Sequence, residues 1–261
     1  MTRKSIPILY EDDDILVINK PAGLVVHSDG RTDEPTLVDW ILEHYPKIKG
    51  VGDMGELEGK NYELSKKEKP HNSEFRSPNS SLRPGIIHRL DRETSGALII
   101  IKNQKAFWFF KKKFKKQEVH KEYHAFVYGK VKQDDGLINR PIARSRTNPT
   151  LWSATRGRKG TDREAITEYR VVSRGSAHTL LELFPRTGRT HQIRVHLKAI
   201  NYSIVCDKKY APKLPCELGF NRLALHSKAI SFTLPSGEKK RVEAPYPADF
   251  KRALKEMAKE R

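Results

Sequence analysis

The chain has 261 residues, of which 37% are hydrophobic and 31% are charged. This length is enough to bury one large core, so we expect a single domain over residues 1–261. Fifty Lys and Arg against 32 Asp and Glu give a formal net charge of +18 at pH 7. Such an excess attracts polyanions and favours nucleic acid as the partner. Exposed lysines that only keep the protein dispersed are the simpler alternative.

The sequence also excludes several classes of protein. Its first residues lack the apolar stretch of a signal peptide, and no run approaches the roughly 20 residues of a membrane span. Cys206 and Cys216 are too few for a disulfide framework or a zinc cluster, so we expect reduced thiols in a reducing compartment such as the cytoplasm. Because neither a CxxC nor an HExxH pattern occurs, we expect no metal site.

The N-terminal part of the chain predicts two strands, one helix and an insertion. Two short strands are expected within residues 6–20, on either side of an acidic turn. A helix follows between Pro35 and Pro46, where apolar residues recur on one face. Residues 46–85 are rich in Gly, Pro, Ser, Asn, Lys and Glu without periodicity, and they predict a flexible insertion within the domain.

The remaining sequence predicts several strands and three helices. A buried strand is expected over residues 97–101, and Asn103 is a suitable N-cap for a helix with an aromatic face. Further strands are predicted at 123–131, 165–172, 178–184 and 222–233, with helices at 190–200 and 250–257. Because helices rarely separate these strands, the sequence predicts an α+β fold with a largely antiparallel mixed sheet flanked by helices.

One segment combines residue types that perform chemistry. His88–Gly96 reads HRLDRETSG and places Asp91 between Arg89 and Arg92, just before a predicted strand. Neighbouring guanidinium groups favour the ionised form of a carboxylate. An ionised carboxylate on a rigid loop can act as a nucleophile or a base. A surface aspartate that caps a turn and pairs with arginine is the alternative that this segment alone leaves open.

Four further motifs accompany this segment in a fixed order. They are Asn19–Gly23 (NKPAG), Lys121–Tyr123 (KEY), Pro185–His196 (PRTGRTHQIRVH) and Leu223–His226 (LALH). Together with residues 84–96 they resemble the RluA family of pseudouridine synthases, and the residues before His88 are most similar to its RluD-type members. The resemblance runs from about residue 10 to residue 236, apart from the insertion.

The resemblance implies a fold, a reaction and partners. The fold is that of the pseudouridine synthases, with a basic RNA-binding cleft. The reaction isomerises specific uridines in structured RNA, ribosomal RNA in preference to transfer RNA, and needs neither cofactor nor metal. We accordingly expect RNA as the partner, no membrane, no small-molecule cofactor, a monomer and a cytoplasmic location.

The resemblance also implies roles for individual residues. Asp91 matches the catalytic aspartate, and Tyr123 matches the tyrosine that stacks on the target base and is a candidate for removing the C5 proton. Arg189 matches the arginine that pairs with the catalytic aspartate, although Arg194 in the same segment is close enough to be confused with it. The predicted substrate-binding residues, which share a guanidinium group, are Arg89, Arg92 and Arg194. Three histidines of these motifs are expected to be structural hydrogen-bonding groups: His88, His191 and His196.

Basic residues cluster in two places that could contact RNA. Residues 140–163 contain seven Lys or Arg side chains around Trp152, and we interpret them as an RNA-binding loop. The lysines of residues 111–116 are equally well explained as a solvated helix face.

The sequence departs from the family pattern in two respects. Cys206 stands where many relatives carry Gly, which predicts a local adjustment of a turn. The chain also begins close to the first motif, so we expect target choice to depend on the catalytic domain without the appended N-terminal RNA-binding domain of relatives.

Two other functions compete with this reading. One is an RNA-folding factor that kept the cleft but lost turnover. The intact set of Asp91, Tyr123 and Arg189 argues against it, although turnover is not visible in a sequence. A phosphotransfer enzyme is excluded, because Leu90 separates Arg89 from Asp91 and no phosphate-binding glycine loop is present.

Overall fold

The computed structural model describes residues 6–27, 34–52 and 83–259. In these ranges the strands are β1 (Ile8–Glu11), β2 (Ile15–Lys20), β3 (Ser95–Ile101), β4 (His120–Tyr128), β5 (Asp135–Asn139), β6 (Ile142–Ser145), β7 (Trp152–Ser153), β8 (Arg158–Arg163), β9 (Ile166–Arg174), β10 (His178–Pro185), β11 (Leu225–Thr233) and β12 (Lys239–Glu243). The helices are α1 (Leu37–His44), α2 (Gln104–Lys115), α3 (Gln192–Ala199) and α4 (Ala248–Lys259), with a short 3-10 helix at Pro46–Gly50. No helix of the described residues is long and apolar enough to cross a membrane.

One large mixed sheet organises the fold. Its strand order is β1-β2-β3-β11-β4-β10-β9-β5, and β12 pairs with β11. β3 and β11 run parallel, whereas the other neighbouring strands pair antiparallel. The predicted α+β class with a largely antiparallel sheet is confirmed. β4 lies between β11 and β10, so side chains on this strand have a rigid support on both sides.

The buried elements follow from their sequences. β3 is buried along its whole length, which explains why it reads as a continuous apolar run without alternation. α2 begins at the predicted cap, where the side chain of Asn103 accepts a hydrogen bond from Ala106 N at 2.9 Å. Phe107 and Phe110 of α2 are buried, and Lys112 lies on its exposed face. The amphipathic pattern therefore fixes how this helix packs.

The edges of the predicted insertion belong to the packed part of the molecule. Ile48 and Val51 are buried in the core, and Gly85 N donates a hydrogen bond to Val51 O at 2.7 Å. Gly85 has φ +69°, and a Cβ atom there would lie 2.4 Å from Ile101 O, so no other residue fits. These contacts correct the predicted bounds of 46–85; residues 53–82 lie outside the described residues.

Residues 140–163, which the sequence predicted to be an RNA-binding loop, form a small three-stranded sheet in the order β7-β6-β8. The sequence prediction missed it because most side chains of these strands are polar and only Ile142 and Ala143 are buried. Ile142 of β6 belongs to a second, small core, whose other members come from neighbouring segments and are Ala154, Ala165, Val195 and Tyr210.

The prediction of two reduced thiols is wrong for this structure, because Cys206 and Cys216 form a disulfide. The backbone of Cys206 has φ +58°, a left-handed conformation that glycine adopts without strain. Cys206 N donates a hydrogen bond to the Tyr128 hydroxyl at 3.0 Å. The pairing depends on how the chain folds back, so two isolated cysteines in the sequence could not indicate it. The closed loop carries Asp207 and Tyr210, both of which reach the site described next.

Candidate active site

A cleft of about 590 Å³ lies between the loop before β3, the loop after β10 and the first half of β4. Its lining includes five of the six predicted site residues, namely Asp91, Tyr123, Arg189, Arg89 and Arg194. Arg92 does not line the cleft: its guanidinium forms an ion pair with Glu34 at 2.6 Å and donates to Gly23 O. The substrate-binding role predicted for Arg92 is therefore not supported by its position.

Asp91 is held by one buried arginine. Arg194 Nη1 donates to Asp91 Oδ2 at 2.9 Å, and Arg194 lies in the first turn of α3. His191 Nε2 is 3.8 Å from Asp91 Oδ1, which is too long for a hydrogen bond. In the described part of the chain, Oδ1 thus accepts no hydrogen bond, while the carboxylate side chain is 20% exposed.

Arg194, not Arg189, is the arginine that pairs with Asp91, and the sequence prediction is corrected on this point. Arg189 precedes α3 in the loop, and its Nε donates to Glu164 O at 3.0 Å. The left-handed backbone of His191, with φ +55°, separates this loop from the helix. Motif matching could not decide between two arginines five residues apart, because the choice depends on where the helix begins.

Asp207 fixes the orientation of Arg194. Its two carboxylate oxygens accept hydrogen bonds from Arg194 Nε at 2.9 Å and Nη2 at 2.7 Å, and its side chain is only 1% exposed. Burial disfavours the guanidinium charge, but the hydrogen bonds and charges of Asp207 and Asp91 outweigh it and raise the pKa of Arg194. The Tyr210 ring centroid lies 5.0 Å from the same guanidinium. Asp207 directly follows Cys206 in the chain, and its role was not predicted from the sequence.

Tyr123 is a buried neutral phenol beside Asp91. It lies on β4, pairs across the sheet with Leu183, and is 8% exposed. Burial and the negative charge of Asp91 raise its pKa, while a hydrogen bond with Ser227 opposes the shift. The hydroxyl group thus keeps its proton at neutral pH. The ring is held rigidly at the wall of the cleft, as stacking on a base requires.

A buried lysine supports the loop that carries Asp91. Lys20 is fully buried, and its Nζ donates to the carbonyl oxygens of Pro21, Leu24 and Arg92 at 2.8–3.1 Å. Burial lowers its pKa to about 7; the charge of Asp91 opposes this shift. The NKPAG motif therefore acts as a structural support for the Asp91 loop, a role that the sequence alone did not indicate.

The three motif histidines form hydrogen bonds, as expected. His88 Nε2 accepts from Ile99 N at 3.2 Å, and burial lowers its pKa to about 3. His191 Nδ1 is 2.8 Å from the Tyr210 hydroxyl, and burial lowers its pKa to about 4. His196 contacts Thr167 Oγ1 and a backbone carbonyl, each at 2.9 Å. Neutral, well-anchored imidazoles of this kind position the loop and α3.

One group of side chains among the described residues could offer ligand atoms to a metal ion. Glu122, His124 and Glu182 bring ligand atoms within 4.8 Å of one another on β4 and β10, but none of them lines the cleft. Arg241 lies 2.7 Å from Glu122, and Arg170 lies 3.5 Å from Glu182. These arginines already balance the carboxylate charges, so the group is explained as an ion-pair network.

Comparisons with known proteins agree with this geometry. A family model described as RNA pseudouridylate synthase matches residues 14–199. An uncharacterized RNA pseudouridine synthase of Bacillus subtilis, YlyB, is 34% identical over 253 residues, covering 97% of this chain and 73% of the relative. The ribosomal large subunit pseudouridine synthase D of Xanthomonas campestris is 36% identical over 261 residues, covering 95% of this chain and 68% of the relative.

A solved structure shows the same fold. Human RNA pseudouridylate synthase domain containing 4 superimposes with a TM-score of 0.69 at 24% identity, covering 97% of this chain and 93% of the human chain. The sequence matches cover the Asp91 loop, Tyr123 and Arg194, which the fold assembles in one basic cleft. The chain belongs to the RluA family of RNA pseudouridine synthases.

Proposed function

We propose that this enzyme isomerises uridines of large-subunit ribosomal RNA in the cytoplasm, as a monomer, with Asp91 as its nucleophile. The observation that carries the proposal is the hydrogen bonding of the two Asp91 carboxylate oxygens in the cleft. Oδ2 is bound to Arg194, whereas Oδ1 accepts no hydrogen bond from the described residues. A carboxylate that is oriented by a fixed cation and has one oxygen left for substrate is suited to nucleophilic catalysis.

The residues suit the isomerisation of uridine. The reaction breaks the bond between N1 and C1′, turns the uracil ring and joins it again through C5. Asp91 would assist the first step, and the buried wall of the cleft would hold the detached ring away from water. The target base must leave its stack to reach this position.

We assign Tyr123 to stacking on the target uracil. Its phenol carries its proton at neutral pH because burial and Asp91 raise its pKa. The predicted role in removing the C5 proton would therefore require Tyr123 to lose its own proton first. The fixed aromatic face needs no such change and supports stacking directly.

RNA outside the cleft would bind to the small sheet. The Arg144 guanidinium lies 4.3 Å from the Trp152 ring centroid, and that of Arg163 lies 5.3 Å from it. Cation–π contacts of this kind hold both guanidinium groups in place, so the sheet presents a preorganised pair of phosphate ligands. The Tyr210 hydroxyl accepts a hydrogen bond from Trp152 N at 3.2 Å and also contacts His191, which links this sheet to the cleft.

Replacing Arg144 or Arg163 with Ala should weaken RNA binding and reduce its dependence on salt. Each lost phosphate contact is expected to lower the slope of log K against log salt by about one unit. Filter binding at several salt concentrations would measure the slopes. Lys255→Ala, on the exposed face of α4, is the matched control and should leave the slope unchanged. Slopes for the sheet variants equal to that of wild type would remove this surface from RNA binding.

The class of RNA is inferred from relatives. Several relatives at 32–36% identity are named ribosomal large subunit pseudouridine synthase D. We expect purified protein to form pseudouridine in a large-subunit ribosomal RNA transcript and not in a transfer RNA pool, as measured by chemical pseudouridine mapping. Modification of transfer RNA alone would replace the proposed substrate. Binding without modification of either RNA would instead favour the RNA-folding factor.

A further inference from the structure

One cation of the cleft has no role in the contacts described so far. Lys121 lies on β4 two residues before Tyr123, and both side chains line the cleft, so they share one face of the strand. A Cβ atom added to Gly188 would lie 3.9 Å from Lys121 Nζ. The ammonium group therefore lies between β4 and the loop after β10, inside the cleft and not at its outer edge.

The other cations on this side of the cleft already have partners. Arg194 binds Asp91 and Asp207, Arg189 donates to Glu164 O, and Arg186 pairs with Glu168. For Lys121, in contrast, residues 6–27, 34–52 and 83–259 supply neither a carboxylate nor a carbonyl oxygen at hydrogen-bonding distance. Its neighbour His88 is a neutral imidazole and adds no negative charge.

The position of Lys121 relative to Asp91 indicates which part of a nucleotide it would meet. Tyr123 pairs with Ser227, which also pairs with Gly96 at the start of β3, directly after the Asp91 loop. Lys121 pairs with Ile230, three residues farther along β11, and so lies farther from that loop than Tyr123 does. Burial lowers the pKa of Lys121 to about 8. With C1′ of the target nucleotide at Asp91 and its base on Tyr123, the far edge of the uracil ring points toward Lys121.

We propose that Lys121 is a catalytic residue whose ammonium group binds the carbonyl edge of the uracil and stabilises the ring while it is detached from the sugar. When the N1–C1′ bond breaks, its electron pair leaves with the ring. The resulting negative charge spreads from N1 to the carbonyl oxygens. C5 then bonds to C1′ as the Asp91 carboxylate leaves that carbon, the C5 proton passes to the released carboxylate, and N1 takes up a proton from water. A desolvated ammonium without a competing anion interacts most strongly with such a developing charge.

This inference rests on the proposed function, and its test compares Lys121→Met with wild type under single-turnover conditions. The substrate is the ribosomal RNA transcript that wild type modifies. Removing one donor to a developing negative charge typically costs about 100-fold in rate. We expect that loss at saturating enzyme, with RNA affinity and thermal stability unchanged. Lys121→Arg should keep more of the rate, and Lys251→Met, on the exposed face of α4, should match wild type.

A second substrate tests whether Lys121 binds the uracil or the phosphate backbone. In a transcript carrying 5-fluorouridine, the fluorine itself stabilises the negative charge of the detached ring. The loss of ring-detachment rate in Lys121→Met should therefore be smaller on this transcript. An equal deficit on both transcripts, together with weaker RNA binding and a smaller salt slope, would identify a phosphate contact and overturn the inference. An active wild type with an equally active Lys121→Met would also overturn it. An inactive wild type would instead refute the proposed function.

Discussion

Asp91→Asn is expected to abolish pseudouridine formation, with a loss on the order of 10⁴-fold or more, as for other enzymes that lose their nucleophile. The amide keeps the size and most of the polarity of the side chain but cannot attack an electrophilic carbon. It also weakens the attraction of Arg194 Nη1, which lies 2.9 Å from Oδ2. Chemical mapping of pseudouridine in the modified transcript would measure the loss.

The control for this prediction must separate catalysis from folding. Asp134→Asn removes an exposed carboxylate that pairs with Arg174, outside both the cleft and the small sheet, so it should retain full activity. Because Arg194 keeps its two bonds to Asp207, Asp91→Asn should also unfold near the temperature of wild type. Equal modification by Asp91→Asn and wild type would remove Asp91 from the mechanism.

The elements that the sequence predicted correctly are those with strong local signals. β3 is an uninterrupted run of buried aliphatic residues, and α2 has both a capping Asn103 and an aromatic face. The small sheet lacks such a signal, because β8 has no buried residue and depends on β6 for its pairing. Local pattern therefore predicts the elements that bury their own side chains, and it misses those held by their neighbours.

The candidate site shows the same limit at the level of single residues. The positions of Asp91 and Tyr123 could be predicted from their motifs, because Asp91 lies in the loop before β3 and Tyr123 lies on β4. The partner of Asp91 depends instead on the start of α3 and on Asp207, which the chain brings in from a disulfide-closed loop. Contacts of this kind join distant segments, so they become visible only in the folded chain.

Comparing Arg194→Met with Arg189→Met tests this assignment directly. Arg194→Met leaves the carboxylate of Asp207 buried without its partner, and breaking a buried ion pair in this way typically costs about 3–5 kcal/mol of unfolding free energy. It also removes the cation that orients Asp91, so we expect activity to fall by about 100-fold or more. Arg189→Met removes one contact with a backbone carbonyl at an exposed site, and its unfolding free energy should stay within about 0.5 kcal/mol of wild type.

A double variant separates the two effects of losing Arg194. Removing both members of a buried ion pair is far less costly than removing one, so Arg194→Met with Asp207→Asn should recover much of the lost stability. Activity should remain low, because Asp91 still lacks its guanidinium partner. Denaturant unfolding and pseudouridine mapping on the same preparations would measure both quantities. If Arg189→Met were inactive while Arg194→Met kept wild-type activity, Arg189 would be the functional partner of Asp91, and the ion pair with Arg194 would be structural only.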